Sequence, residues 1–321
     1  MTPPGMNVLE PVGPQAGEIA WVWDVFLWVV IAVWLLVVGF IIASALVSRR
    51  NEIDDPLAEQ PGRDRRMARA VLLAGSATVV TLVGLLVTTV VAGRNLAALE
   101  DQGDPLHVRI TGRQWWWEVE YDRDDPQQYA STANELHVPV GRPIHVELTS
   151  ADVIHSFWVP SVHGKRDLIP GRINRTWLRV DQPGVYRGQC AEFCGLEHAR
   201  MTITIVAETP ERFAQWKAHQ RLAAPAPLTD AQKRGLGVFV RSPCALCHTV
   251  AGTPAGGRVG PDLTHVASRL EIGAGTVTNT HDHLTRWISN AQAMKPGARM
   301  PPVSLPAEDI AAIVAYLETL R

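Results

Sequence analysis

The sequence predicts a multidomain chain: a two-helix transmembrane hairpin, then an all-β sandwich or barrel, then an all-α domain. Three observations carry this. Two apolar runs near the N-terminus, about 21–47 and 70–92, are each long enough to cross a ~30 Å hydrocarbon core. From Leu106 to Val206, short segments alternate apolar and polar residues between Gly and Pro clusters, as the strands and turns of an antiparallel sandwich or barrel do. Beyond Thr229, helical segments return. The implied divisions are a tail and hairpin over 1–100, a β domain over 104–210, a helix and linker over 211–228, and an α domain over 229–321.

Each run reads as membrane-spanning because Asp24 is the one carboxylate within them. The tail Met1 to Ala20 has no Lys or Arg, and no small-residue cleavage site follows the first run, so the segment is expected to stay rather than act as a signal peptide. Between the runs lie Arg49, Arg50, Arg63, Arg65, Arg66 and Arg69, and cytoplasmic loops retain such cations. A two-pass chain with both termini outside the cytoplasm follows, and Trp21, Trp23 and Trp28 suit an aromatic belt at the outer interface. A formal net charge of -2 gives no basic field for nucleic acid, and lipid is the evident partner.

In the β region the strand candidates include Leu106 to Ile110, Ile144 to Leu148 and Thr176 to Val180. Glu211 to Leu222 reads as a helix, and Ala223-Ala-Pro-Ala-Pro-Leu228 as a semi-rigid linker. Helices are then expected around Ala231 to Val240, His283 to Asn290 and Ala307 to Leu320, the last with an acidic first turn.

Four cysteines, Cys190, Cys194, Cys244 and Cys247, form two close pairs in a region placed outside the cytoplasm, so two disulfides are one reading of them. Local context offers another. In Gly188-Gln-Cys-Ala-Glu-Phe-Cys-Gly-Leu-Glu-His-Ala-Arg-Met201, Cys190, Cys194, His198 and Met201 make a soft set of two thiolates, an imidazole and a thioether that suits copper. His155, in Asp152-Val-Ile-His-Ser-Phe-Trp-Val-Pro160, is a source for a further nitrogen. The second pair lies in Ser242-Pro-Cys-Ala-Leu-Cys-His248, the Cys-x-x-Cys-His pattern that attaches c-type haem through two thioethers with the His on iron. Thioredoxin-like chemistry is the rival use of such a pair. Met294 and Met300 are the nearby candidates for a sixth iron ligand.

The first metal segment, with His155, Lys165-Arg-Asp-Leu-Ile-Pro-Gly-Arg172 and Gly112-Arg-Gln-Trp-Trp-Trp-Glu118, resembles the copper-binding part of cytochrome c oxidase subunit II. The resemblance runs from the hairpin to about residue 210. It implies a cupredoxin domain with a binuclear copper centre, CuA, in which Cys190 and Cys194 bridge both metals, His155 and His198 cap one each, and Met201 and the Glu192 carbonyl are weak axial ligands. It also implies a magnesium or manganese ion held by the Glu192 side chain and shared with subunit I. Trp115 matches the exposed aromatic through which electrons come in. Three successive tryptophans in a strand cannot all face one core, so at least one is expected to meet a partner.

Lys295-Pro-Gly-Ala-Arg-Met-Pro-Pro302 resembles the methionine loop of class I cytochromes c and selects Met300 as axial ligand, leaving Met294 to packing. Gly260-Pro-Asp-Leu263 resembles the segment whose Pro carbonyl, here that of Pro261, orients the axial His248. His265, His281 and His283 are expected to be surface histidines or haem-propionate neighbours, because the iron is already six-coordinate.

The resemblance implies a caa3-type subunit II in a bacterial cytoplasmic membrane, with no catalytic residue of its own. Electrons would pass from a donor, such as soluble cytochrome c or a bc-type complex, through haem c and CuA to haem a of subunit I, with subunit III alongside. Tethering a haem domain raises its local concentration to roughly millimolar. One departure is that the start of the second run, Arg63-Asp-Arg-Arg-Met-Ala-Arg69, lacks the Glu associated with proton uptake. Two other assignments share these features. A nitric oxide reductase subunit would also hold CuA, whereas a quinol-oxidase subunit II would lack the cysteines present here.

Overall fold

The computed structural model describes residues 6–48, 61–100 and 103–321, so Arg49 and Arg50, used above for orientation, lie outside the described residues. The chain divides into two compact units, Gly17–Asp101 and the remainder. The first holds α1 (Pro14–Ser48) and α2 (Pro61–Glu100), both extending beyond the apolar runs read from sequence. Asn95 Nδ2 donates to Glu18 Oε1 at 3.2 Å, pairing the last turns of α2 with the first turns of α1 in an antiparallel hairpin. Leu36 and Phe40 are about seven-tenths exposed, as a lipid-covered face requires. Thr78, Thr81, Thr88 and Thr89 each return their hydroxyl to the carbonyl four residues back, so these polar groups need no water.

The second unit begins with two five-stranded sheets packed face to face. The strands are β1 (Leu106–Arg113), β2 (Trp116–Tyr121), β3 (Ala130–Ala133), β4 (Glu135–Pro139), β5 (Ile144–Ser150), β6 (His155–Trp158), β7 (Arg166–Leu168), β8 (Asn174–Leu178), β9 (Gly184–Cys190) and β10 (Thr202–Glu208). One sheet has the order β3-β2-β1-β5-β8 and the other β4-β10-β9-β6-β7. Alternation sends Val108, Ile110, Val146 and Leu148 inward from one sheet and Phe157, Ile203 and Ile205 inward from the other. β1 pairs with β5, and β4 with β10, in parallel, so the sheets are mixed rather than wholly antiparallel. The tail assigned with the hairpin from sequence contributes here instead. Val12 donates to Ser161 O and accepts from Asp181 N, each at 2.8 Å.

α3 (Pro210–Gln220) is capped by Thr209 and packs on the sheets through buried Phe213 and through Trp216, which stacks on His137 at 4.1 Å. The segment 211–228 therefore divides. Its helix belongs to the β domain, and only the residues after it connect onward.

The helical part comprises α4 (Asp230–Arg241), α5 (Cys244–Cys247), α6 (His281–Met294) and α7 (Ala307–Leu317). A two-residue ribbon, β11 (Glu271–Ile272) with β12 (Val277–Thr278), interrupts the helices. A capping box of Thr229 and Gln232 starts α4. Phe239 on α4 packs with Ile313, Tyr316 and Leu317 on α7 and Ile288 on α6. Gly235 lets α4 and α7 cross closely, since a Cβ there would lie 2.0 Å from Ala312 O.

Candidate functional site

Two strands and one loop build the first site. His155 opens β6, Cys190 ends β9, and Cys194, His198 and Met201 follow in the loop before β10. All four cysteines are free thiols. Cys190 and Cys194 are buried with sulfurs 3.7 Å apart, and their Sγ atoms and one His155 ring nitrogen gather within 4.8 Å of one another. His155 Nδ1 lies 3.9 Å from Cys190 Sγ, and His198 Nδ1 lies 3.6 Å from Cys194 Sγ. Met201 Sδ stands 3.9 Å from Cys194 Sγ, and the Glu192 carbonyl 3.2 Å from Cys190 Sγ. The six candidate ligands read from sequence therefore converge around the two sulfurs.

The electrostatics suit a thiolate site. Hydrogen bonding from Cys194, and then from His155, pulls the Cys190 thiol well below the ordinary thiol range against the effect of burial. The Cys194 thiol is raised by that same partnership, so the two close sulfurs titrate as a pair.

Asp152, assigned no role from the residue pattern, accepts from His155 Nε2 at 2.8 Å. That bond turns Nδ1 toward the sulfurs and fixes the tautomer, as carboxylates behind metal-bound histidines do. Gly112 on β1 makes room for the ring, because a Cβ there would stand 2.7 Å from His155 Cδ2.

Trp115 differs from its expectation. It sits with Gln114 in the turn between β1 and β2, outside the strand, and it is half-buried rather than exposed. Its indole N–H donates to Cys194 O at 3.0 Å. The side chain of Glu192 is 44% exposed, and its Oε2 lies 3.5 Å from Lys165 Nζ.

The second site gathers around α5. Cys244, Cys247 and His248 are half-buried, and His248 Nδ1 bonds the Pro261 carbonyl at 2.7 Å, leaving Nε2 free. Burial lowers the His248 pKa, which favours the neutral ring that can ligate. Met300 lies in the loop after α6, its carbonyl accepting from Gln292 Nε2 at 2.9 Å. Met294 ends α6 itself.

Arg269 was not singled out from sequence. It is buried, donates Nη2 to Asp262 O, and leaves Nε without a partner among the described residues. A buried guanidinium with an orphaned donor calls for an anion. His265, His281 and His283 each have protein partners, respectively Arg321 O, Glu318 Oε1 and Thr278 O.

Residues 123–208 match the family described as cytochrome c oxidase subunit II, periplasmic domain, and residues 232–321 match cytochrome c. A cytochrome c oxidase subunit 2 of Alkalihalophilus pseudofirmus is 31% identical over 98% of this chain and 91% of its own length. One from Bacillus sp. strain PS3 is 32% identical over 76% of this chain and 72% of its own length. Among solved structures, the periplasmic domain of subunit II of cytochrome oxidase of Bradyrhizobium japonicum is 35% identical, covers 36% of this chain and 93% of that chain, and gives a TM-score of 0.34.

Fold and site together define a two-helix membrane protein that joins a cupredoxin domain to a class I cytochrome c domain. The chain belongs to the cytochrome c oxidase subunit II family, in its form with a fused cytochrome c domain. The family implies copper and haem c, and the residues present fit both. Thiolate, imidazole and thioether donors converge at one site, while a free His248 Nε2 and an orphaned buried Arg269 Nε mark the other.

Proposed function

We propose that this chain is the electron-accepting subunit of a caa3-type cytochrome c oxidase, relaying electrons from haem c through a binuclear CuA centre to haem a of subunit I, where oxygen is reduced to water. The observation that carries this reading is the convergence of Cys190, Cys194, His155, His198, Met201 and the Glu192 carbonyl within 3.9 Å contacts around two sulfurs. When bound, the copper pair and the haem each take up and release single electrons without making or breaking a substrate bond. The protein's own residues hold geometry. Cys190, Cys194, His155, His198, Met201 and the Glu192 carbonyl would hold the copper pair, with Asp152 orienting His155, and Cys244, Cys247, His248 and Met300 would hold the haem, with the Pro261 carbonyl orienting His248.

Arg269 is assigned to a haem propionate because its buried Nε has no protein acceptor among the described residues, and its Nη2 bonds the carbonyl of Asp262, next to the Pro261 that holds His248. Trp115, bonded to the ligand loop, is the route by which electrons come in. No general acid, base or nucleophile is required. The Glu192 side chain is assigned to a magnesium or manganese ion where subunit I meets this loop. The chain is placed in the bacterial cytoplasmic membrane with its soluble domains on the outer side, beside subunit I and subunit III. Soluble cytochrome c or a bc-type complex is the donor.

Replacing Cys190 or Cys194 with Ser should abolish the mixed-valence copper resonance and leave the haem c spectrum intact; a persisting resonance would refute the assignment. Consumption of oxygen rather than nitric oxide by the purified complex tests the acceptor.

A further inference from the structure

Lys295, at the C-terminal end of α6, is only 3% exposed. Its Nζ lies 2.9 Å from Trp115 O, 2.7 Å from Arg200 O and 2.8 Å from Gly273 O. An ammonium has three donors, so all are used. Two acceptors belong to the copper-binding domain and one to the cytochrome c domain. A buried ammonium is tolerated only where its donors are all paired, and here that pairing exists only with the two domains in contact.

The surrounding contacts run along the same seam. Arg187 Nη1 meets both oxygens of Glu271 at 2.9 and 3.0 Å. Leu270 N donates to Glu135 Oε1 at 2.6 Å, and Thr202 N to Ala274 O at 3.1 Å. Arg299 Nη2 reaches Gln114 Oε1 at 2.7 Å, but Arg299 is 62% exposed and its contribution is that of a screened surface contact. Lys295 is different in being enclosed.

Its partners are also chemically placed. Arg200 precedes Met201, the Trp115 indole bonds the Cys194 carbonyl, and Lys295 opens the loop that carries Met300. We propose that Lys295 is a positioning residue whose ammonium, seated among three carbonyls, registers the cytochrome c domain on the rim of the copper site and thereby sets the separation of the two redox centres. The redox consequence rests on the proposed relay, while the docking itself does not.

The test uses the full chain with Lys295→Met. Hydrogen exchange should show the Thr202 and Leu270 amides, whose bonds cross the seam, exchanging about tenfold faster, with Val119 and Val314 in the two cores unchanged. In the loaded protein, electron transfer from photoreduced haem to copper should slow by about tenfold or more, since small displacements have large kinetic effects. The haem spectrum and copper resonance should stay as in the wild type.

Wild-type protection at Thr202 and Leu270 in the variant overturns the proposal. Faster exchange with an unchanged transfer rate overturns the positioning role. Loss of the copper resonance in the wild type itself would instead defeat the relay, and the exchange result would still decide the docking. Lys295→Arg keeps a cation with donors for the same carbonyls and should restore both readouts. If it is as defective as the Met variant, or if both fail to fold, specific seating of the cation is refuted.

Discussion

Asp152 shows how a single side chain supports the copper site without touching its sulfurs. Asp152→Asn should weaken copper binding by about 10- to 100-fold, measured by competition with a chelator, with the fold retained. Met300→Leu should change the haem spectrum, and Met294→Leu should not; the reverse outcome would exchange the axial assignment. His137 carries a pH dependence. Burial alone would lower its pKa, but Glu135 and then Glu208 outweigh this and hold it above the ordinary 6.5. Its contribution to stability is therefore full below 6.5 and lost as pH rises through the raised folded value. The melting-temperature gap between wild type and His137→Gln should narrow as pH increases beyond 6.5. The residues that gather around the two sulfurs were legible because four of them, Cys190, Cys194, His198 and Met201, fall within a dozen positions and carry distinctive chemistry. Asp152, Arg269 and Lys295 were not, because their roles come from partners that only folding brings near or from a group that the chain must bind.

At the scale of elements, helices and strands were legible where periodicity and caps agreed. Thr229 and Gln232 start α4 as a reciprocal pair, and Thr229→Ala should cost about 1 kcal/mol in a denaturant titration of the full chain. What pattern could not show was pairing. Alternation at Val108 and Val146 marks their inward faces but carries no direction, so the parallel pairing of β1 with β5 appears only in the structure. The tryptophan triplet misled for a related reason. Trp116 and Trp117 obey strand alternation, whereas Trp115 occupies the turn, where alternation does not apply.

Across the whole molecule, two membrane helices, a β domain and a helical domain were legible from the length and spacing of apolar residues along the chain, because each class places them at its own period. Their internal attachments were not. The N-terminal tail joins the β domain through backbone bonds of Val12, which leave no mark on its side chain. The connecting stretch after α3 is likewise held to the helical domain, with Leu222 O against His265 Nε2 at 3.2 Å and Ala224 N donating to Ala251 O at 2.9 Å. That stretch is thus a strap laid along the domain it introduces, with little slack to release. On the proposed relay, electron delivery between the two domains should accordingly be first order and independent of protein concentration.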